Sequence, residues 1–128
     1  MKNTVLVIED NPLNLELVRD ILEVNDYGVL CATTAEEGLR LAREHLPDLV
    51  VMDLSLPGMD GLAATKALRA DSATSHLIII ALTAHAMRGD RDVAIAAGCD
   101  GYLTKPIETS TFAPRIAWFI SARKAFQR

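Results

Sequence analysis

Leu49-Val50-Val51-Met52-Asp53-Leu54-Ser55-Leu56-Pro57-Gly58-Met59-Asp60-Gly61 decides how this chain is read. Four consecutive apolar residues lead into a carboxylate, and a Pro-Gly pair follows. An unbroken apolar run of this length predicts a strand covered on both faces, as in a parallel sheet between two helical layers. Asp53 then stands where the strand ends, and in open α/β sheets ligands gather just beyond the carboxyl ends of the strands. Pro57-Gly58 predicts a turn, and Asp60 is placed to cap a helix that begins at Gly61. Asp53 is therefore either a turn or capping aspartate or a carboxylate aimed into a crevice. The other strand ends choose between the two.

Before this stretch, Thr4-Val5-Leu6-Val7-Ile8 is another short apolar run, and it too ends in acid, at Glu9-Asp10. Asn11 is placed to cap a helix with Pro12 at its first position, where a missing N–H costs nothing. Leu17, Val18, Ile21 and Leu22 share one face of that helix, and Asp26-Tyr27-Gly28 is expected to end it. Val29–Ala32 reads as a strand. Thr34 with Glu37 forms a capping box for a helix turning Leu39 and Leu41-Ala42 inward, and Pro47-Asp48 closes it. After Gly61 a helix burying Leu62, Ala67 and Leu68 is expected. The strand Leu77–Leu82 follows and ends at Thr83. A helix around Met87 to Ala97 is stopped by Gly98, and the strand Tyr102-Leu103-Thr104 runs into Lys105-Pro106. The last helix carries Ile116, Phe119 and Ile120 inward and leaves Trp118 outward. Pro114 requires that this helix start late, near Ala113, or have a distorted first turn. Strands alternating with helices in this way predict a parallel sheet covered on both faces.

Composition sets the class. The chain of 128 residues is half hydrophobic, enough for one domain with one core, expected to span residues 1–128. The longest apolar runs are too short to cross a bilayer, and Met1-Lys2-Asn3-Thr4 does not open a signal peptide, so a cytoplasmic protein off the membrane is expected. A net charge of −4 argues against a nucleic-acid surface. Cys31 and Cys99 are too few and too far apart for a disulfide framework or a metal cluster.

The polar residues recur at one address: Glu9-Asp10, Asp53, Thr83 and Lys105 each end a strand. Three carboxylates at one crevice repel each other, and at least one would have its pKa raised. Oxygen ligands suit Mg²⁺, and no His or Cys stands in the pattern of a zinc site, His85 being the nearest. A cation, an ammonium and a hydroxyl there make a receptacle for a small dianionic oxyanion. A carboxylate in that setting can attack phosphorus.

Val7-Ile8-Glu9-Asp10-Asn11-Pro12, Met52 to Gly61, Ala81-Leu82-Thr83-Ala84 and Lys105-Pro106 together resemble the receiver domain of two-component response regulators, the CheY-like family, over essentially the whole chain. The resemblance implies a flavodoxin-like, doubly wound, five-stranded parallel sheet of order 2-1-3-4-5 with five helices, here as a stand-alone domain. It implies Asp53 as phosphoacceptor and Mg²⁺ held by Asp10, Asp53 and the Ser55 backbone carbonyl, with Glu9 acting through water. Lys105 would pair with a phosphoryl oxygen, and Thr83 would bond the phosphoryl group on switching. Tyr102 matches the aromatic that turns inward as Thr83 moves; by itself it reads as a half-buried strand tyrosine. Ser55 and His85 occupy positions that vary in the family and tune the phosphoryl lifetime.

The implied function is a phosphoacceptor signalling switch. A histidine kinase or histidine phosphotransfer protein would donate to Asp53, and a downstream protein partner would read the result, with no direct DNA binding. The chain would catalyse only its own phosphorylation and dephosphorylation, and so would not be an enzyme in the usual sense. Two other classes compete. A Mg²⁺-dependent phosphohydrolase with an Asp53 nucleophile usually needs a second acid two residues on, where Ser55 stands. A flavodoxin needs a hydroxyl-rich phosphate loop where Glu9-Asp10 would repel the flavin phosphate.

Overall fold

The computed structural model describes residues 2–56, 58–84 and 88–126, so Pro57, His85 and Met87 lie outside the described residues. Five strands, β1 (Thr4–Ile8), β2 (Gly28–Ala32), β3 (Leu49–Asp53), β4 (Ile78–Thr83) and β5 (Gly101–Thr104), alternate with five helices. The helices are α1 (Pro12–Val24), α2 (Ala35–His45), α3 (Gly61–Ala70), α4 (Arg88–Ala97) and α5 (Thr109–Phe126). All strand pairs are parallel, in the order β2-β1-β3-β4-β5. This is the doubly wound, flavodoxin-like arrangement.

Side chains alternate across a strand, so each apolar run feeds two cores. Leu6, Ile8, Val50, Met52, Ile79 and Ala81 pack with α2, α3 and α4. Val5, Val7, Val51, Ile78, Ile80 and Leu82 pack on the other face with α1 and α5. Every residue of β3 is buried, which is why that strand reads as continuously hydrophobic until Asp53 ends it. Each fully buried Val, Leu or Ile side chain contributes about 1.5–3 kcal/mol through burial.

Caps place the helices over the site end of the sheet. Asn11 Oδ1 accepts from the N–H groups of Leu13 and Asn14 at 3.0 and 3.1 Å. Thr34 Oγ1 accepts from Glu37 N–H at 3.2 Å, and Asp60 Oδ1 from Ala63 N–H at 2.8 Å. Gly61 is needed for space: a Cβ there would run into the Asp53 carbonyl.

Several expected boundaries move. α1 stops at Val24, where Asn25 Nδ2 bonds the Ile21 carbonyl at 2.7 Å and Asp26 turns left-handed at φ 69°. That frees Gly28 to begin β2. α3 buries Gly61, Ala64, Thr65 and Leu68, a spacing of i, i+3, i+4 and i+7, and leaves Leu62 and Ala67 half-buried. α5 does not start late: it begins at Thr109, with Phe112 N–H donating to the Glu108 carbonyl at 3.0 Å, and runs through Pro114. Proline leaves the Ser110 carbonyl without its helical donor, but Ser110 and Pro114 are both exposed, so water can take that bond. Ile116 and Ile120 are buried as expected and Phe112 is buried with them, Phe119 is half-buried, and Trp118 is 65% exposed.

Cys31 lies in β2 at one edge of the sheet and Cys99 just ahead of β5 at the other; both are free thiols. A disulfide needs Cα atoms within roughly 7 Å. Both thiols should therefore titrate with a thiol reagent after denaturation without reductant. Recovery of neither would contradict the strand order.

Candidate functional site

Three strand ends bring four charged side chains together. Glu9 and Asp10 follow β1, Asp53 closes β3, and Lys105 follows β5. One carboxylate oxygen from each of Glu9, Asp10 and Asp53 lies within 4.8 Å of the others. Glu9 and Asp53 are fully buried, while Asp10 is exposed. Lys105 Nζ stands 3.2 Å from Glu9 Oε2 and 3.4 Å from Asp53 Oδ2, so one ammonium serves two buried acids.

The second oxygen of Asp53 is also occupied. Oδ1 accepts from Ser55 N–H at 2.9 Å, so Asp53 is a turn aspartate and a crevice carboxylate at once. Glu9 Oε1 accepts from Asn11 N–H at 3.3 Å and from Asn14 Nδ2 at 3.5 Å. Among the described residues its Oε2 has the ion-pair contact with Lys105 and no hydrogen bond. Thr83 is buried at the end of β4, opposite Thr104, and its carbonyl accepts from Lys105 N–H at 2.7 Å. Tyr102 is half-buried and packs against the core beneath α3 and α4. Asn14 is the contributor that sequence reasoning missed. Its only signal is a polar residue one turn into α1, on the side of its own cap.

Burial is the main cause that pushes the Glu9 carboxyl up from its ordinary 4.5 to about 7; the adjoining Asp53 carboxylate adds to it and Lys105 opposes it. The repulsion expected from clustered acids thus falls on Glu9. A buried acceptor without a hydrogen bond, beside two further carboxylates, suits a hard divalent cation with oxygen or water ligands.

The response regulator receiver domain model matches residues 5–117. The chain belongs to this family. The polar-differentiation response regulator DivK of Brucella ovis is 41% identical over 120 residues, 94% of this chain and 98% of that protein. Among solved structures, the receiver domain of a sensor histidine kinase from Pseudomonas aeruginosa, with a magnesium ion coordinated in its active-site cleft, superposes with TM-score 0.87. It is 32% identical, covering 94% of this chain and 99% of that one. A receiver domain protein from Clostridium thermocellum gives TM-score 0.86 at 28% identity, covering 97% and 98%. The chain is thus a response regulator receiver domain, a signalling module of two-component systems.

The raised Glu9 pKa makes the stability of this receiver domain depend on pH. Between about 4.5 and about 7 the folded state keeps a proton that the unfolded chain has released. Stability of the metal-free protein therefore falls as pH rises through that window. Denaturation midpoints in chelator should decline across it for wild type relative to Glu9→Gln. A wild type that runs parallel to Glu9→Gln would overturn the raised value.

Proposed function

We propose that Asp53 accepts a phosphoryl group from a phosphohistidine donor and that the altered surface is then read by another protein. The observation that carries this is a family member's buried strand-end carboxylate with Glu9, Asp10 and Lys105 beside it. An Asp53 carboxylate oxygen attacks phosphorus, the phosphorus–nitrogen bond breaks with its electron pair leaving on the imidazole, and an acyl phosphate forms. Lys105 pairs with a phosphoryl oxygen, and the Thr83 hydroxyl donates to another. Asp10, Asp53 and the Ser55 carbonyl would hold Mg²⁺, with Glu9 acting through water. When bound, Mg²⁺ supplies positive charge that offsets the crowded carboxylates and the phosphoryl oxygens.

Because Lys105 N–H holds the Thr83 carbonyl, displacement of Thr83 is felt by β5 and hence by Tyr102. This supports Thr83 and Tyr102 as the switch pair and the surface of α4, β5 and α5 as the read-out face. Val93, Ile95 and Trp118 are 50%, 45% and 65% exposed there. A cavity of about 330 Å³ opens between β5 and the first turns of α5, lined by Tyr102, Ile107, Phe112 and Arg115 among others.

The partners are a histidine kinase or histidine phosphotransfer protein upstream and a protein target downstream, without DNA or membrane contact, in the cytoplasm. No helix among the described residues is long and apolar enough to cross a membrane. Relatives matched over nearly their whole length support reading residues 1–128 as one receiver domain. The domain would catalyse only its own phosphorylation and dephosphorylation. Ser55 in place of an acid disfavours a phosphohydrolase.

Incubation with acetyl phosphate and Mg²⁺ should raise the intact mass by one phosphoryl group, and Asp53→Asn or chelator should abolish the gain. An undiminished gain in Asp53→Asn would sink the assignment. Asp10→Asn should weaken Mg²⁺ binding about tenfold or more (~1.4 kcal/mol per tenfold) and Glu9→Gln by less; equal losses would reverse the ligand ranking. Trp118→Ala should weaken capture of the phosphorylated protein by its partner while phosphorylation proceeds at the wild-type rate. Unchanged capture would remove Trp118 from the read-out face.

A further inference from the structure

At the end of the sheet remote from the site, one guanidinium and one carboxylate gather several main-chain groups. Arg69, near the end of α3, donates through Nε to the Gly98 carbonyl at 2.8 Å and through Nη1 to the carbonyls of Ser75 and Leu77 at 2.9 and 2.5 Å. Its Nη2 donates to Asp100 Oδ2 at 2.8 Å. The same Oδ2 accepts from Ile79 N–H at 2.8 Å, and Asp100 N–H donates to the Ile79 carbonyl at 2.7 Å. Arg123 of α5 stands 3.5 Å from Asp100 Oδ1 and also donates to the His76 carbonyl. Gly98 is shaped to this arrangement: its φ is +116°, and a Cβ would press on the Arg69 stem at 2.7 Å.

Asp100 thus holds both main-chain groups of Ile79 and ties β5 to β4 immediately ahead of their register pair Ile80–Gly101. β5 is an edge strand of four residues, bonded on one side only and in the weaker parallel mode. Two attachments flank its ladder: Ile79–Asp100 at one end and Thr83–Lys105 at the other. Gly101 forbids a full slip, since a side chain in its place would strike the Phe119 ring. Loss of the Asp100 carboxylate would leave only the main-chain bond to the Ile79 carbonyl, free the Ile79 N–H and so loosen the strand at its first residue.

We propose that Asp100, oriented by Arg69, is a positioning residue for phosphoryl transfer: it anchors β5 so that Lys105, about 16 Å further along the strand, stays beside Asp53. This rests on the phosphoacceptor reading above and adds a residue to it. The metal carboxylates follow β1 or close β3, whereas the Asp100 side chain contacts Arg69, Ile79 and Arg123. Transfer and metal affinity should therefore separate. In addition, a loosened Lys105 competes less for Glu9 and Asp53, so Mg²⁺ affinity should hold or rise.

Wild type, Asp100→Ala and Asp100→Asn are compared by phosphorylation rate with acetyl phosphate, by Mg²⁺ titration and by amide hydrogen exchange. For Asp100→Ala we expect transfer at least fivefold slower at saturating Mg²⁺, faster exchange at Ile79 and Lys105 N–H, and a Mg²⁺ Kd equal to or below that of wild type. Asp100→Asn keeps an acceptor oxygen for Ile79 and should recover to within about twofold. If Asp100→Ala does not fold, Asp100→Ser, too short to reach Arg69 and Ile79 together, is held to the same criteria. Wild-type transfer in the truncated variant, a slowing matched by weaker Mg²⁺ binding, or no recovery in Asp100→Asn overturns the positioning role. A wild type that takes no phosphoryl group overturns the phosphoacceptor reading itself, and the positioning role with it.

Discussion

Two fully buried carboxylates, Glu9 and Asp53, share the single ammonium of Lys105 at the end of an otherwise apolar sheet. This imbalance organises the molecule. A buried ion pair is favourable only where the geometry is good and the remaining lone pairs find donors. Here the donors follow three separate strands: Asn11 and Asn14 after β1 for Glu9, Ser55 after β3 for Asp53, and Lys105 after β5 for both. The sheet must therefore hold three strand ends in register before the charges can be accommodated. Its two apolar cores supply that rigidity, because a one-residue slip would move every side chain of a strand from the core it fits to the other.

The same imbalance leaves the site short of positive charge. Glu9 keeps an oxygen without a hydrogen bond, and burial pushes its carboxyl up to about 7. A cation beside these carboxylates would relieve that crowding. The neighbouring Gly61 lets the loop after Asp53 fold back against the strand end, where any other residue would press on the Asp53 carbonyl. Packing and function share the same few residues.

Much of this was legible in the sequence, for a physical reason. Strands covered on both faces must be continuously apolar, so β1, β3 and β4 were readable, and so were the polar residues that end them. Helix caps are local and showed in Asn11, Thr34 and Asp60. Less legible was whatever depended on contacts across the fold. The phase of α3 is set by which face meets the sheet, and its alanines look alike in sequence. Pro114 misled because propensity cannot register that its lost bond faces water. The network of Arg69, Asp100 and Arg123 left no sequence signature, since most of its acceptors are main-chain carbonyls.

Most substitutions of buried residues destabilise a fold by about 0.5–3 kcal/mol. If carboxylate crowding is the governing constraint, one substitution at the site must do the reverse. Thermal or denaturant unfolding of Asp53→Asn against wild type, in chelator and then in excess Mg²⁺, measures this directly. Asn keeps an oxygen for Ser55 N–H but removes a charge, so the variant should be the more stable protein without metal, and Mg²⁺ should shrink or reverse the difference. An Asp53→Asn protein less stable than wild type in chelator would contradict the account.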